Sequence, residues 1–190
     1  MIQKIVQYGH PVLRKRGERV NAITPAIQSL IADLIETMHD AHGIGLAAQQ
    51  IGHSFQVTVV DVRSADRPST LELDKKPADV DKFMPLVLIN PQVKPVGEEM
   101  AGAEGCLSFP EIFGNIKRAE TIDVTALNEK GQTMEFRCGG LLSRAIQHEV
   151  DHLNGILFID RMDAATKREH MSRLTAIKEG TTRNSKTGRI

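Results

Sequence analysis

The segment HEVDH at residues 148–152 contains two histidines four residues apart. On an α-helix this spacing directs both imidazole rings to one face, so that His148 and His152 can bind the same metal ion. Glu149 then lies beside the ion without having to bind it, where a carboxyl group can transfer protons. Apolar residues recur at helical spacing on either side of the motif. We therefore predict a catalytic metal site on a helix that spans residues 141–155.

A catalytic site of this kind needs a third protein ligand and an open position for water. The chain has two cysteines, Cys106 and Cys138. Cys106 follows Gly105 and precedes Pro110, in a segment that we expect to be irregular and extended, able to present a thiolate and backbone amides. A lone cysteine also packs well as a small hydrophobic residue, so the residues alone leave both roles open for Cys106. For Cys138, at the end of a predicted strand, packing is the favoured role.

Any other single histidine of the chain is more often a surface or packed residue than a metal ligand. We assign all of them to surface or packing roles: His10, His39, His42, His53 and His170.

A third unusual segment is GIGLAAQQIG at residues 43–52. It has neither the GxGxxG spacing nor the following Lys-Ser/Thr of a phosphate-binding loop, so we reject a nucleotide site here. Small residues instead predict that the backbone passes close to another element or to a ligand. The amide of Gln50 can donate a hydrogen bond into the site.

The composition bounds the class of protein. A length of 190 residues fits one domain, and 41% hydrophobic with 25% charged residues is ordinary for a folded protein. Lys plus Arg equals Asp plus Glu at 24 each, so there is no overall field to attract nucleic acid or an anionic membrane. No apolar run approaches the roughly 20 residues of a membrane span. We expect a cytoplasmic protein with no specific nucleic-acid motif and no membrane contact.

Local patterns predict the other elements. Thr24-Pro25, followed by apolar residues at helical spacing, predicts a helix over residues 25–41. Residues 63–82 are polar and contain proline, which predicts a long surface loop. We further expect strands at 55–62, 86–89, 121–127 and 133–137, a hairpin turn at 128–131, a helix over 162–178 and a mobile tail over 180–190.

Together, the three chemical segments resemble the peptide deformylase family, whose motifs GxGxAAxQ, EGCxS and HExDH occur in that order. They stand here as residues 43–50, 104–108 and 148–152, and every specified position matches. The resemblance also takes in the opening residues 6–14. It implies a compact α+β single domain in which β-sheets surround the motif helix, with an N-terminal and a C-terminal helix. The catalytic domain would span residues 1–178 and the flexible tail 179–190.

The resemblance also implies an activity: removal of the formyl group from the N-terminal formylmethionine of nascent polypeptides by attack of a metal-bound water. It makes Cys106 the third ligand, Glu149 the acid/base, and Gln50 and the Leu107 backbone amide the donors to the developing oxyanion. Substrate contacts are expected at five further residues of the first two motifs, namely Gly43, Ile44, Gly45, Glu104 and Gly105. Some bacterial members carry an arginine where this chain has Phe113.

One divalent ion is expected. A cysteine and two histidines suit zinc, iron, nickel or cobalt. The resemblance implies ferrous iron in the cell, and the ribosome is a candidate partner because nascent chains emerge there.

Two other functions use the same residues. A zincin-type endopeptidase shares HExxH but commonly has a further His or Glu ligand downstream. In a structural metal module, Cys138 would join Cys106 and the two histidines in a closed tetrahedron. A separate expectation concerns Asp151, whose charge needs a basic partner on a partly buried helix. Arg118 is the partner that we predict.

Overall fold

One antiparallel sheet dominates the computed structural model, which describes residues 1–186. In these residues seven strands pair in the order β1-β2-β5-β6-β7-β3-β4. Their bounds are Gly45–Ala47 for β1, Val57–Val60 for β2, Ser69–Leu73 for β3, Lys76–Pro77 for β4, Leu86–Cys106 for β5, Phe109–Leu127 for β6 and Thr133–Gly139 for β7. Four α-helices accompany the sheet: Pro25–Asp40 for α1, Gly140–Leu153 for α2, Ala164–Glu169 for α3 and Met171–Lys186 for α4. The predicted α+β class is confirmed.

The two central helices have nearly the predicted bounds. Helix α1 begins after Thr24, whose hydroxyl accepts a hydrogen bond from the Ile27 amide at 3.3 Å. Its buried face packs in one core cluster with β1 and β2. Helix α2 packs in a second cluster with β6 and β7, and it also contacts β1. The motif helix is therefore held by strands from both halves of the chain.

Strands β5 and β6 form a long hairpin that the sequence predicted only in part. The expected strands at 86–89 and 121–127 are its base, whereas the pairing continues to Cys106 and Phe109 at the tip. The prediction stopped early because residues 92–103 are largely exposed and lack apolar alternation. Backbone pairing with β6, whose alternate side chains are buried, and hydrogen bonds from Arg144 to the Met100 and Gly102 carbonyls hold this part in place. Cys106 therefore lies at the tip of a hairpin, and the expected irregular, extended backbone is confirmed by the register shift between Gly105 and Cys106.

The prediction of a surface loop over residues 63–82 was wrong. This segment contains β3 and β4, and β3 pairs with β7 through residues such as Leu71, which faces Cys138. Leu71 is the one buried position of β3, so the local sequence carries a single apolar anchor instead of an alternating pattern. Backbone pairing with β7 stabilises the remainder of β3.

The predicted C-terminal helix is two helices. Helix α3 begins after Asp163, whose carboxylate accepts hydrogen bonds from the Ala165 and Thr166 amides at 2.9 Å, and α4 follows after His170. Helix α4 continues past residue 178 to Lys186, although Gly180 favours a helix end. The rest of the predicted tail, residues 187–190, lies outside the described residues. No helix in residues 1–186 is long and apolar enough to cross a membrane.

Candidate active site

Helix α2 and the β5–β6 hairpin tip bring three metal-ligand side chains together. The rings of His148 and His152 lie 5.0 Å apart between centroids, on one face of α2. Cys106, the last residue of β5, has its Sγ 3.3 Å from His152 Nε2. One ligand atom from each of the three residues lies within 4.8 Å of the others. Tetrahedral coordination by such atoms needs separations of roughly 3.5 Å, so the cluster fits a divalent transition metal.

Glu104 fixes the orientation of the first histidine. Its carboxylate lies 3.0 Å from His148 Nδ1, which leaves Nε2 for the metal. Arg118 donates two hydrogen bonds to the same carboxylate, at 2.9 and 3.0 Å, and Arg144 donates one at 2.8 Å. Burial alone would raise the pKa of Glu104, but the hydrogen bonds from His148 and Arg118 outweigh it and hold the pKa well below its usual range. Glu104 was expected to contact the substrate, but its carboxylate is hydrogen-bonded to His148 and to two arginines.

The predicted pairing of Arg118 with Asp151 is confirmed. Arg118, with a side chain only 3% exposed, donates a hydrogen bond to Asp151 as well as to Glu104, and so connects β5, β6 and α2. Arg161 donates two more hydrogen bonds to Asp151, both at 2.5 Å. Arg144 and Arg161 were not predicted from the sequence. Arg144 lies four residues before His148, so helical spacing was a usable signal, whereas no pattern marks Arg161.

Glu149 is a buried carboxyl group beside the ligands. Within the described part of the chain its Oε2 has no hydrogen-bond partner. Burial raises its pKa to about 7, against the opposing attraction of His148. A Cβ atom at Gly45 would lie 2.5 Å from the Glu149 carboxylate, so the predicted close approach of this backbone is confirmed there. A carboxyl group with a pKa near neutrality suits proton transfer in both directions.

The Gln50 side chain is oriented toward the same centre. Its Oε1 accepts a hydrogen bond from the Ala47 amide at 2.9 Å, which leaves the Nε2 group as a donor. This nitrogen lies 3.6 Å from Cys106 Sγ and 3.3 Å from Ser108 Oγ. Leu107 occupies the turn directly after Cys106.

The site opens onto a cavity of about 560 Å³. All the site residues expected from the motifs border it except His152, which lies behind Cys106. Leu141, Ala145 and Ile112 add apolar walls. Phe113, 64% exposed, lies at the rim against Gly105, where a Cβ atom would come within 2.7 Å of its ring.

The other candidate ligands lie elsewhere. Cys138, a residue of β7, is buried in the core, and burial raises its pKa to about 12, so its predicted packing role is confirmed. His39 pairs with Asp61 at 3.0 Å. His42 borders the cavity, which the assignment to surface or packing did not anticipate. Among residues 1–186 the metal-ligand cluster contains only Cys106 and the two motif histidines.

Three side chains that could hold a metal ion, beside a buried carboxyl group and an apolar cavity, are typical of a metallohydrolase. The polypeptide deformylase family model matches residues 2–168. A peptide deformylase of Opitutus terrae is 47% identical over 169 residues, which cover 88% of each chain, and one of Methylacidiphilum infernorum is 41% identical over 95% of each. The solved structure of a peptide deformylase from Legionella pneumophila has a TM-score of 0.78 at 33% identity, covering 96% of this chain and 99% of that one.

The chain belongs to the polypeptide deformylase family. It is a metal-dependent hydrolase that removes the formyl group from the N-terminal formylmethionine of newly synthesised proteins and releases formate.

Proposed function

We propose that deformylation occurs in the 560 Å³ cavity, at one divalent ion held by Cys106, His148 and His152. The observation that carries this proposal is the meeting of three ligand atoms within 4.8 Å of one another, next to the buried carboxyl group of Glu149. The donor set suits iron, zinc, nickel and cobalt. We propose ferrous iron as the ion in the cell, with the other three as substitutes.

An ion held by Cys106, His148 and His152 would supply Lewis-acid chemistry, which lowers the pKa of water to about 7 and polarises a carbonyl group. Glu149 accepts the proton of the attacking water and passes it to the leaving amine, a transfer that its pKa of about 7 supports. As negative charge grows on the formyl oxygen, the Gln50 amide and the Leu107 backbone amide donate hydrogen bonds to it. The hydrogen bond from Ala47 to Gln50 Oε1 supports this orientation of the amide.

Two groups of residues would hold the substrate. Apolar walls, including Leu141 and Ala145, suit the methionine side chain. Gly43, Ile44, Gly45 and Gly105 would contact the peptide backbone. Strand β1 is an edge strand of the sheet, so an extended peptide could pair with its free edge. For Glu104 we propose a positioning role, since its carboxylate is bonded to His148 and two arginines.

The observed geometry disfavours both competing functions. A closed structural site would need Cys138, but this residue is buried in a different core cluster from Cys106. An endopeptidase of the zincin type would commonly have a further downstream His or Glu ligand, and within residues 1–186 no such residue joins the cluster. A site with three protein ligands, Cys106 among them, and one open position for water fits deformylase chemistry better.

We also propose that residues 1–178 form the catalytic unit and that the protein acts in the cytoplasm on chains leaving the ribosome. The family match over residues 2–168 supports the first statement. The second rests on the substrate, because formylated N-termini belong to newly made chains.

The test is hydrolysis of formyl-Met-Ala-Ser by nickel-loaded protein, with formate release as the signal. An N-acetyl analogue and an internal Met-Ala peptide bond are the matched substrates. We expect hydrolysis of the formyl peptide only. Cleavage of the internal bond would support the endopeptidase, and an inert formyl peptide would refute deformylation at this site.

A further inference from the structure

Arg67 is a cavity residue that none of the three motifs includes. It borders the same cavity as the metal ligands, although it comes from the segment before β3. Its backbone neighbours are fixed against the motif helix: Pro68 O accepts a hydrogen bond from the Leu141 amide at 2.9 Å, and Ser69 Oγ accepts one from the Leu142 amide at 3.1 Å. The guanidinium group is therefore carried by an anchored point of the cavity wall.

The other arginine of the wall already has partners. Arg144 donates to Glu104 at 2.8 Å and to the backbone carbonyls of Ile116 and Met100 at 2.8 and 2.7 Å. Arg67 is exposed, and within residues 1–186 it makes no hydrogen bond or ion pair. Among the described residues, it is the one arginine or lysine at the cavity wall whose charge is unpaired and available to a ligand.

The acidic groups of the wall do not neutralise it. Glu104 is bonded to arginines behind the metal ligands, and Glu149 lies buried beside them. Glu111 pairs with Arg173 of α4 at 3.2 Å. A peptide lying in the cavity therefore meets an unpaired positive charge on the wall formed by the segment before β3.

From this arrangement we propose that Arg67 is a specificity-determining residue, which favours formyl peptides that carry a carboxylate in one of the three residues after formylmethionine. The proposal rests on the deformylase function and deepens it by naming a substrate class. Because the guanidinium is exposed to water, the preference is modest, about twofold to fivefold in kcat/KM, as for an exposed ion pair. Salt screens such a pair, so the preference falls as ionic strength rises.

The experiment compares isosteric substrates. Formyl-Met tetrapeptide amides with Asp or Asn at the second, third or fourth position differ in one charge, and the C-terminal amide removes the terminal carboxylate. Nickel-loaded protein is assayed for kcat/KM on each pair at low and at high salt. We expect an Asp preference at one or more positions, its loss in Arg67→Gln, and in Arg67→Glu a preference for Lys over Gln at the same position.

Lys76→Gln is the matched control, since it removes one positive charge from the neighbouring strand β4 and does not border the cavity. This variant should keep the Asp preference. The neutral peptides report folding and basal activity in every variant. No Asp preference at any position, an unchanged preference in Arg67→Gln, or an equal loss in Lys76→Gln would overturn the proposal. Failure to hydrolyse the neutral formyl peptides would instead refute the deformylase site itself.

Discussion

The buried ion-pair network behind the metal ligands gives a prediction whose size follows from the structure. Arg118 is 3% exposed and holds two buried carboxylates, those of Glu104 and Asp151. Arg118→Gln leaves both without one charged partner, which should lower the free energy of unfolding by about 3–5 kcal/mol. Asp151→Asn removes one charge but leaves Arg118 bonded to Glu104, so the free energy of unfolding should fall by less, about 1.5–3 kcal/mol.

The double variant should cost less than the sum of the two single variants. Residues in one hydrogen-bonded network show coupling energies of about 0.5–3 kcal/mol. Arg161→Gln is the matched control, because Arg161 bonds the same Asp151 but is 43% exposed. Water can replace much of its interaction, and we expect a loss below about 1 kcal/mol.

The assay is urea unfolding of the nickel-loaded variants at one fixed free-nickel concentration, together with the metal content of the folded protein. Fixed metal is required because bound nickel itself stabilises the fold. Strict additivity of the Arg118 and Asp151 substitutions would refute the reasoning. So would a loss in Arg161→Gln as large as that in Arg118→Gln.

Three further predictions concern charge, metal affinity and oxidation. The hydrogen bonds of Arg63 lower the pKa of Asp61 from 3.8 to about 2 despite burial. This carboxylate therefore adds about 2 kcal/mol to the free energy of unfolding above pH 4, and the contribution is lost as the pH falls through 2. The difference in unfolding free energy between wild type and Asp61→Asn, measured by urea unfolding, should narrow below pH 4, and a constant difference would contradict this. Glu104→Gln should weaken metal binding about 10- to 100-fold by releasing His148, measured by chelator competition, and unchanged affinity would contradict the positioning role. Iron-loaded protein should lose activity in air faster than nickel-loaded protein, with oxidation at Cys106 seen by mass spectrometry, and equal decay with unmodified thiol would contradict it.

Elements with a strong local pattern were predictable. The apolar period after Thr24 predicted α1, and the four-residue spacing of the motif histidines predicted that they share a face of α2. The pairing of Asp151 with Arg118 followed from the cost of burying an unpaired charge. The helices could be predicted from residues that are close in sequence, and the ion pair from the need of one buried charge for a partner.

Elements stabilised by distant partners were not predictable. The outer part of the β5–β6 hairpin is half exposed and depends on cross-strand pairing, and β3 has only Leu71 buried. Arg161 reaches Asp151 from the connection between α2 and α3, where no periodicity applies. The cavity position of Arg67 depends on the pairing of β3 with β7, and a sequence interpreted as a loop could not indicate it.

The central claim is that three side chains hold one ion while Glu149 transfers protons without binding it. The most direct test measures metal stoichiometry and formyl-Met-Ala-Ser hydrolysis on the same preparations of Glu149→Ala, Cys106→Ala and His152→Ala. We expect Glu149→Ala to retain one ion per chain and to lose about 10²- to 10⁴-fold in rate. The Cys106 and His152 variants should lose the ion together with the activity. Stoichiometric loss of the ion in Glu149→Ala, or full metal retention in Cys106→Ala, would contradict the account.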